Sequence, residues 1–370
     1  MRKTFAAGMF WTAALVWFAC ALGWALDRDM PPAESTGRGM DRALALATDR
    51  LDALCDKAAA SLTGLGGTYA AALGAARAPG ETEKDALMQN ARRQGPVVGF
   101  KTGPGEEKRE PAYQSPGPAL YSYAGPDISE AAWRELAALP AIFSELRRLH
   151  DELDLSWVYL TTVNDSFAIY PFLPLSDAMN NDRPTRQAFY AAADLAGRKA
   201  GWTEPYLDLA GAGMMLTVSC PVYDGDNLLG VASRDITLKQ IAFGLDAAAG
   251  RDGVAALMDA RGLVVAVSGP YAEEIETAGG GNGKATLHYR SAEALRGRDA
   301  AEAVNSAHEF LNAAGEAAVD KARGLAPGEA AAVDLNLKQT GYHVTVRKTR
   351  TSGWLAVGIE TIKPGRENAP

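Results

Sequence analysis

Cysteine and histidine are scarce in this chain of 370 residues, three of one and four of the other. Cys20, Cys55 and Cys220 form no CxxC pair and no bridge framework, which leaves zinc-site, redox and disulfide-scaffold readings without support. Cys55 falls on an expected helix and Cys220 on the apolar face of an expected strand, so both are read as buried thiols rather than bridge partners. His150, His288, His308 and His343 show no paired spacing such as HxxxH and are read as surface or strand-edge residues. Asp224-Gly225-Asp226-Asn227 opens like a calcium loop, yet Leu228 and Leu229 stand where an EF-hand needs a ligand and a glycine. GxSxG is missing, and the glycine-rich tract Gly279 to Lys284 lacks P-loop spacing. Basic residues are outnumbered, 37 Lys and Arg against 45 Asp and Glu, with a net charge of −8. Nucleic-acid binding is therefore not expected. No catalytic, cofactor or metal constellation is visible, and an enzyme is not expected.

The chain has apolar residues in plenty, 47% of the total, enough for about two domains with real cores. Met1-Arg2-Lys3 precedes an uncharged run from Thr4 to Leu26. As a helix this run spans about 34 Å, against about 30 Å for a bilayer's hydrocarbon core. Residues 1–26 are thus expected to be a signal anchor or signal peptide. The length favours an uncleaved anchor, although Gly23-Trp24-Ala25 resembles a cleavage site. The leading Arg2 and Lys3 place the body outside the cytoplasmic membrane, or in the periplasm if the segment is cleaved.

Residues 37–95 are expected to form one long helix, with Leu44, Leu51, Leu54, Ala58, Leu62 and Leu65 near helical spacing. The segment 101–118, dense in Pro, Gly and charge, reads as an exposed loop. Asp127 is the expected cap of a second helix bearing Trp133, Leu136, Leu139, Phe143, Leu146 and Leu149. Trp157 to Tyr170 reads as a hairpin turning at Asn164-Asp165-Ser166. A helix from Pro184 to about Gly201, a loop and a second hairpin follow, turning at Asp224 to Asn227. Leu216, Val218, Cys220 and Val222 alternate with Thr217 and Ser219, which predicts a half-buried strand, and Thr237 caps a following helix. The same order recurs: a hairpin around Ala260-Arg261-Gly262, a helical region from about Ser291 to Ala322, then strands Ala332–Leu337, Tyr342–Lys348 and Trp354–Glu360. Two copies of one plan predict an α+β protein with a long N-terminal helix and two lobes, each an antiparallel sheet flanked by helices. The expected boundaries are 96–250 for the first lobe, 251–362 for the second and 363–370 for a disordered tail.

The run Trp202-Thr203-Glu204-Pro205-Tyr206-Leu207-Asp208, then Thr217-Val218-Ser219-Cys220-Pro221-Val222-Tyr223, then Gly230-Val231 with Asp235-Ile236, resembles the W-x-x-P-Y-x-D, T-x-S-x-P-V-Y and G-V-x-x-x-D-I pattern of double Cache (dCache, PAS-like) sensor domains. The resemblance implies an extracytoplasmic ligand-binding module with two PAS-like lobes. It makes residues 96–250 the membrane-distal, ligand-binding lobe and residues 251–362 the membrane-proximal one.

It also implies a way of holding a small polar solute such as an amino acid or amine. An arginine takes the carboxylate, acidic side chains take the ammonium and aromatic faces exclude water. Carried over residue by residue, Phe189 and Tyr190 match the aromatic pair, Tyr206 and Asp208 the loop and Asp235 the strand end, and Trp202 belongs to the same pattern. The arginine departs from it. Gln187 occupies its position, and the nearest guanidinium is Arg186, one residue earlier and about 100° around a helix. A ligand with an amine and no carboxylate needs only the acidic and aromatic half, which is intact.

After Glu360 no second apolar run and no kinase, cyclase or signalling coiled coil is visible. The expectation is a sensing module without its own effector, working with a separate membrane signalling partner or as a homodimer through residues 37–94. A periplasmic solute-capture protein or an interaction scaffold is the alternative.

Overall fold

The computed structural model describes residues 37–102, 115–125, 127–153, 156–178, 182–208, 213–279, 286–290 and 303–362. The expected membrane anchor, Cys20, most of the 101–118 loop, most of the Gly279 to Lys284 tract, residues 291–302 and the tail lie outside them. Among the described residues no helix is long and apolar enough to cross a membrane.

The first helix, α1, runs from Gly37 to Ala75. It buries Met40, Leu44, Ala58, Leu62, Leu65 and Tyr69, which recur at three- and four-residue steps along one face. It stops 20 residues short of the expected end. Pro79 would clash with the carbonyl of Ala75, so the helix closes there and a separate α2 (Glu81–Gln89) starts after Gly80. Residues 92–94, expected at the end of the long helix, instead begin a sheet.

That sheet has nine antiparallel strands: β1 (Arg92–Gln94), β2 (Val97–Phe100), β3 (Ala119–Ser122), β4 (Val158–Thr162), β5 (Ser166–Tyr170), β6 (Gly201–Trp202), β7 (Tyr206–Asp208), β8 (Gly213–Asp224) and β9 (Asn227–Thr237). Their order is β1-β2-β3-β5-β4-β9-β8-β6, with β7 also on β8. The second expected helix is two, α3 (Glu130–Ala138) and α4 (Phe143–Leu153), with a 3-10 turn between them at Pro140. Its cap is Ser129, whose Oγ accepts from the Ala132 N–H at 3.2 Å, and not Asp127. The expected helix from Pro184 also shrinks, to a 3-10 turn at Pro184–Arg186 and a single turn, α5 (Ala188–Ala191). Beyond it Asp194 accepts the Gly197 N–H at 2.8 Å and pairs with Lys199, while Arg198 takes φ 53°, so the backbone reverses before a second helical turn can form.

Thr237 hands over to α6 (Leu238–Ala249), its N–H donating to Gln240 Oε1 at 3.1 Å. The second sheet has the order β11 (Val264–Val267), β10 (Gly253–Met258), β16 (Leu355–Ile362), β15 (Thr340–Lys348), β14 (Ala330–Leu337). Beside it lie α7 (Ala272–Gly279), α8 (Glu309–Ala322) and a two-stranded parallel pair, β12 (Thr286–His288) and β13 (Ala303–Asn305). The expected helical region therefore gives way to a strand before α8. His288, expected at a surface or strand edge, is buried.

Both sheets share one continuous apolar core along α1, to which Leu160, Leu216, Val218 and Cys220 contribute from the first and Val254, Val344 and Val357 from the second. Cys55 and Cys220 are buried free thiols. The opposite face of the first sheet carries a second cluster that includes Tyr121, Tyr159, Phe167 and Met215. Both faces are thus covered, and β8 is buried on its hydroxyl side as well, where a half-buried strand was expected.

Gly230 in β9 lies where a Cβ would sit 2.3 Å from the Thr161 carbonyl oxygen and 2.9 Å from Thr162 Cα of β4. This backbone of β4 cannot yield as a side chain can. Gly230→Ala should destabilise the protein by about 2 kcal/mol or more, read as a lower urea midpoint, whereas Gly244→Ala, which meets nothing within 4 Å, should not.

Candidate functional site

Adjacent residues of β9 face opposite ways, and each is buried with charge chemistry on its own side. Arg234, fully buried, points toward α1 and α4. Its Nη1 donates to Ser61 Oγ at 2.9 Å and its Nη2 to the Leu149 carbonyl. Burial lowers its pKa to about 10, opposed by Glu152.

Asp235 points the other way and is 5% exposed. Its N–H donates to the Trp157 carbonyl at 2.9 Å, which fixes the strand against β4. Three hydroxyls converge on its Oδ1: Thr217 at 2.7 Å, Tyr159 at 2.9 Å and Tyr206 at 3.4 Å. Thr217 and Tyr206 are themselves linked at 2.7 Å. Oδ2 takes none of these bonds. Burial pushes the Asp235 carboxyl up to about 7; the Thr217 and Tyr159 hydroxyls work against that shift, and Asp208 adds to it. Tyr159 and Tyr206 are raised well above the ordinary tyrosine value by burial and by Asp235, so both remain protonated donors.

Of the residues singled out by sequence, Asp235, Tyr206 and Asp208 come together here. Phe189 joins them through Tyr159, its ring 5.1 Å away at 80°, and approaches Phe167 at 6.4 Å. Tyr190 does not join: it is buried with Ala193 and Val231 and feels Asp165, at the far end of β4. Trp202 packs edge-on against Trp354 of the second lobe, centroids 5.2 Å apart. Arg186 is exposed on its 3-10 turn. The neighbouring guanidinium, Arg183, is engaged with Asp165 at 3.4 Å, and Asp165 also accepts the Thr185 hydroxyl at 2.7 Å.

Three members of the site were not singled out by sequence: Tyr159, Thr217 and Phe167. Their signal was present in the period-two alternation, since Trp157, Tyr159 and Thr161 share a face, as do Thr217 and Ser219. What was missing was the pairing of strands. Thr217 stands opposite Asp235 only because a bulge between Val222 and Tyr223 shifts the β8–β9 register by one residue.

Residues 161–242 match the family model described as "Methyl-accepting chemotaxis protein-like, first PDC sensor domain". This stretch is similar to the first PDC sensor domain of such receptors, in keeping with the double Cache resemblance of its motifs. Methyl-accepting chemotaxis protein McpC of Bacillus subtilis (strain 168) is similar to the chain, 29% identical over 98 residues; the match takes in 26% of this chain and 14% of McpC. Among solved structures, the ligand-binding domain of the Pseudomonas fluorescens chemoreceptor CtaA in complex with L-serine is 16% identical, with a TM-score of 0.37 over 60% of this chain and 79% of that one. The ligand-binding domain of the Pseudomonas aeruginosa PAO1 chemoreceptor PctB in complex with L-Arg is 17% identical, with a TM-score of 0.38 over 60% and 72%. All seven residues singled out by sequence fall inside the PDC match.

The raised Asp235 carboxyl has a measurable consequence. Asp235 binds its proton more tightly folded, near pH 7, than unfolded, near pH 3.8. Between those values the folded state holds more protons, so its contribution to stability is present at low pH and is lost as pH rises toward 7. Without ligand, the unfolding free energy should fall from pH 4.5 to 7 with a slope approaching about 1.4 kcal/mol per pH unit from this group and then level off. Urea titrations of Asp235→Asn at the same pH values should lack that component.

Proposed function

We propose that the chain is the extracytoplasmic sensing module of a chemoreceptor-type signalling system, and that it holds a small amine or amino acid by its ammonium group at Asp235. The observation that carries this reading is the asymmetry of the Asp235 carboxylate. Oδ1 is held by three hydroxyls while Oδ2 takes none of their bonds, and Asp208 adds a second carboxylate nearby. An ammonium placed there would give the buried Asp235 carboxylate a positive charge to face, with the faces of Phe189 and Tyr206 excluding water. Among the described residues no comparable partner for a ligand carboxylate accompanies it, since Arg186 is exposed and Arg183 is engaged with Asp165. An amine without a carboxylate is therefore the favoured ligand.

In this reading residues 96–250 are the membrane-distal lobe and 251–362 the membrane-proximal one, residues 1–26 are the anchor and 363–370 a tail. The module binds and performs no chemistry. Its signal is the difference in ligand affinity between two arrangements of the lobe, passed to a membrane partner or to a second copy along α1.

The test is a thermal-shift and calorimetric comparison of two pairs at pH 8, L-serine with ethanolamine and L-arginine with agmatine. At 100 times the dissociation constant a ligand stabilises by about 2.7 kcal/mol, a readily seen rise in Tm. At least one amine should bind, more tightly than its amino acid. Asp235→Asn should abolish the shift, and affinity should weaken below pH 7 as the carboxyl takes its proton. Equal binding by Asp235→Asn, or no binding by any of the four, would overturn the reading.

A further inference from the structure

The site face of the first sheet carries a second feature, four strands away from Asp235. Arg92 of β1, Gly99 of β2, Tyr121 of β3 and Phe167 of β5 stand in register across the sheet, and cross-strand partners share a face. Gly99 interrupts this row, because it has no side chain between a guanidinium and a phenol. A cavity of about 220 Å³ lies at the interruption, walled by Tyr121 and by Phe172 and Leu175 from the segment after β5. A Cβ on Gly99 would meet the Tyr121 ring at 3.1 Å and Leu175 Cδ1 at 3.7 Å, so the glycine leaves the space open. Lys101, just past the end of β2 and two residues after Gly99, also lines it. Arg92 and Lys101 are exposed at its rim, and among the described residues neither forms an ion pair.

We propose that this cavity is a second binding site, for a compact carboxylate anion with a flat apolar body. Two unpaired cations at the rim set the sign of the ligand's charge, and the Tyr121 and Phe172 rings set its shape. The volume equals about seven water molecules at liquid density, which admits one ring bearing one carboxylate and no drug-sized molecule. It cannot serve the carboxylate of an amino acid held at Asp235. From β9 through β4, β5 and β3 to β2 is four strand steps of about 4.8 Å, roughly 19 Å in all. The two sites are therefore occupied by separate molecules, and this one does not depend on the reading of Asp235.

The test is calorimetric titration of the full chain in detergent with benzoate, phenol and inorganic phosphate. Benzoate should bind saturably, phenol at least tenfold more weakly because it lacks the charge, and phosphate should not displace benzoate because it lacks the ring. Arg92→Ala/Lys101→Ala, on an exposed edge where folding is preserved, should weaken benzoate at least tenfold. Gly99→Val should abolish its binding by filling the cavity, and Asp235→Asn should leave it unchanged. Absence of saturable benzoate binding, or undiminished binding by the double variant, would overturn the proposal; loss in Asp235→Asn alone would assign benzoate to the other site.

Discussion

The packing of a single helix against two sheets is the constraint from which the rest of the molecule follows. Along its 39 residues α1 meets the second lobe first and the first lobe later. Near its start Met40 lies so close to the second sheet that a Cβ on Gly253 or Gly358 would collide with it. Asp52 accepts the N–H groups of Arg350 and Thr351 at 3.0 and 3.1 Å, which ties that lobe's β15–β16 connection to the helix. Further on, Gly66 lets the helix approach Val222 of β8, and Ser61 receives the Arg234 guanidinium. Neither lobe can rotate relative to the other without breaking buried contacts to the same rod, so changes within a lobe must be expressed as displacements of α1 or of the strands lying on it.

Arg234 and Asp235 are where this constraint reaches the site. One residue of backbone separates a guanidinium anchored in the helical layer from a carboxylate anchored in the aromatic layer, and neither can move without moving β9. A second connection runs through the segment that supplies Tyr206. Glu204 pairs with Arg261 at the turn between β10 and β11, where Asp259 Oδ2 also holds that arginine at 2.7 Å, and Trp202 meets Trp354. In the proposed reading, a ligand that draws on Tyr206 or Asp235 pulls on contacts that already span the two lobes.

Much of this was legible in the sequence. Period-two alternation gave the faces of β8, turn chemistry at Asp224 to Asn227 gave the hairpin, and the recurrence of one plan gave two lobes. The failures share a cause. Pro79, Pro140 and the Asp194–Lys199 turn each cut a segment that apolar periodicity alone would prolong, because periodicity reports which residues are buried and not whether the backbone between them continues as helix. The pairing of Thr217 with Asp235 was hidden for a different reason. Counting back from the turn at Asp224–Asn227 pairs Thr217 with Arg234; only the extra residue at Leu229 restores Asp235 to it, and a one-residue slip would turn every side chain of the strand to the other face. The motif glycine at position 230, just after that extra residue, is explained by the same geometry.

The bulge also decides the chemistry. Had Thr217 faced Arg234, Asp235 would have lost the shortest of its three hydroxyl bonds in a layer built of aromatic rings, and an ionised carboxylate there would be costlier still. Burial outweighs the hydrogen bonds from Thr217, Tyr159 and Tyr206, which hold back only part of its effect, and the carboxyl is poised near 7. A group so poised exchanges a proton for a bound cation at little cost. The three hydroxyls that hold Oδ1 are neutral and stay protonated, so they stabilise the charged form without competing for the ligand. A lysine or arginine in their place would neutralise Asp235 permanently and close the site to any cation from outside.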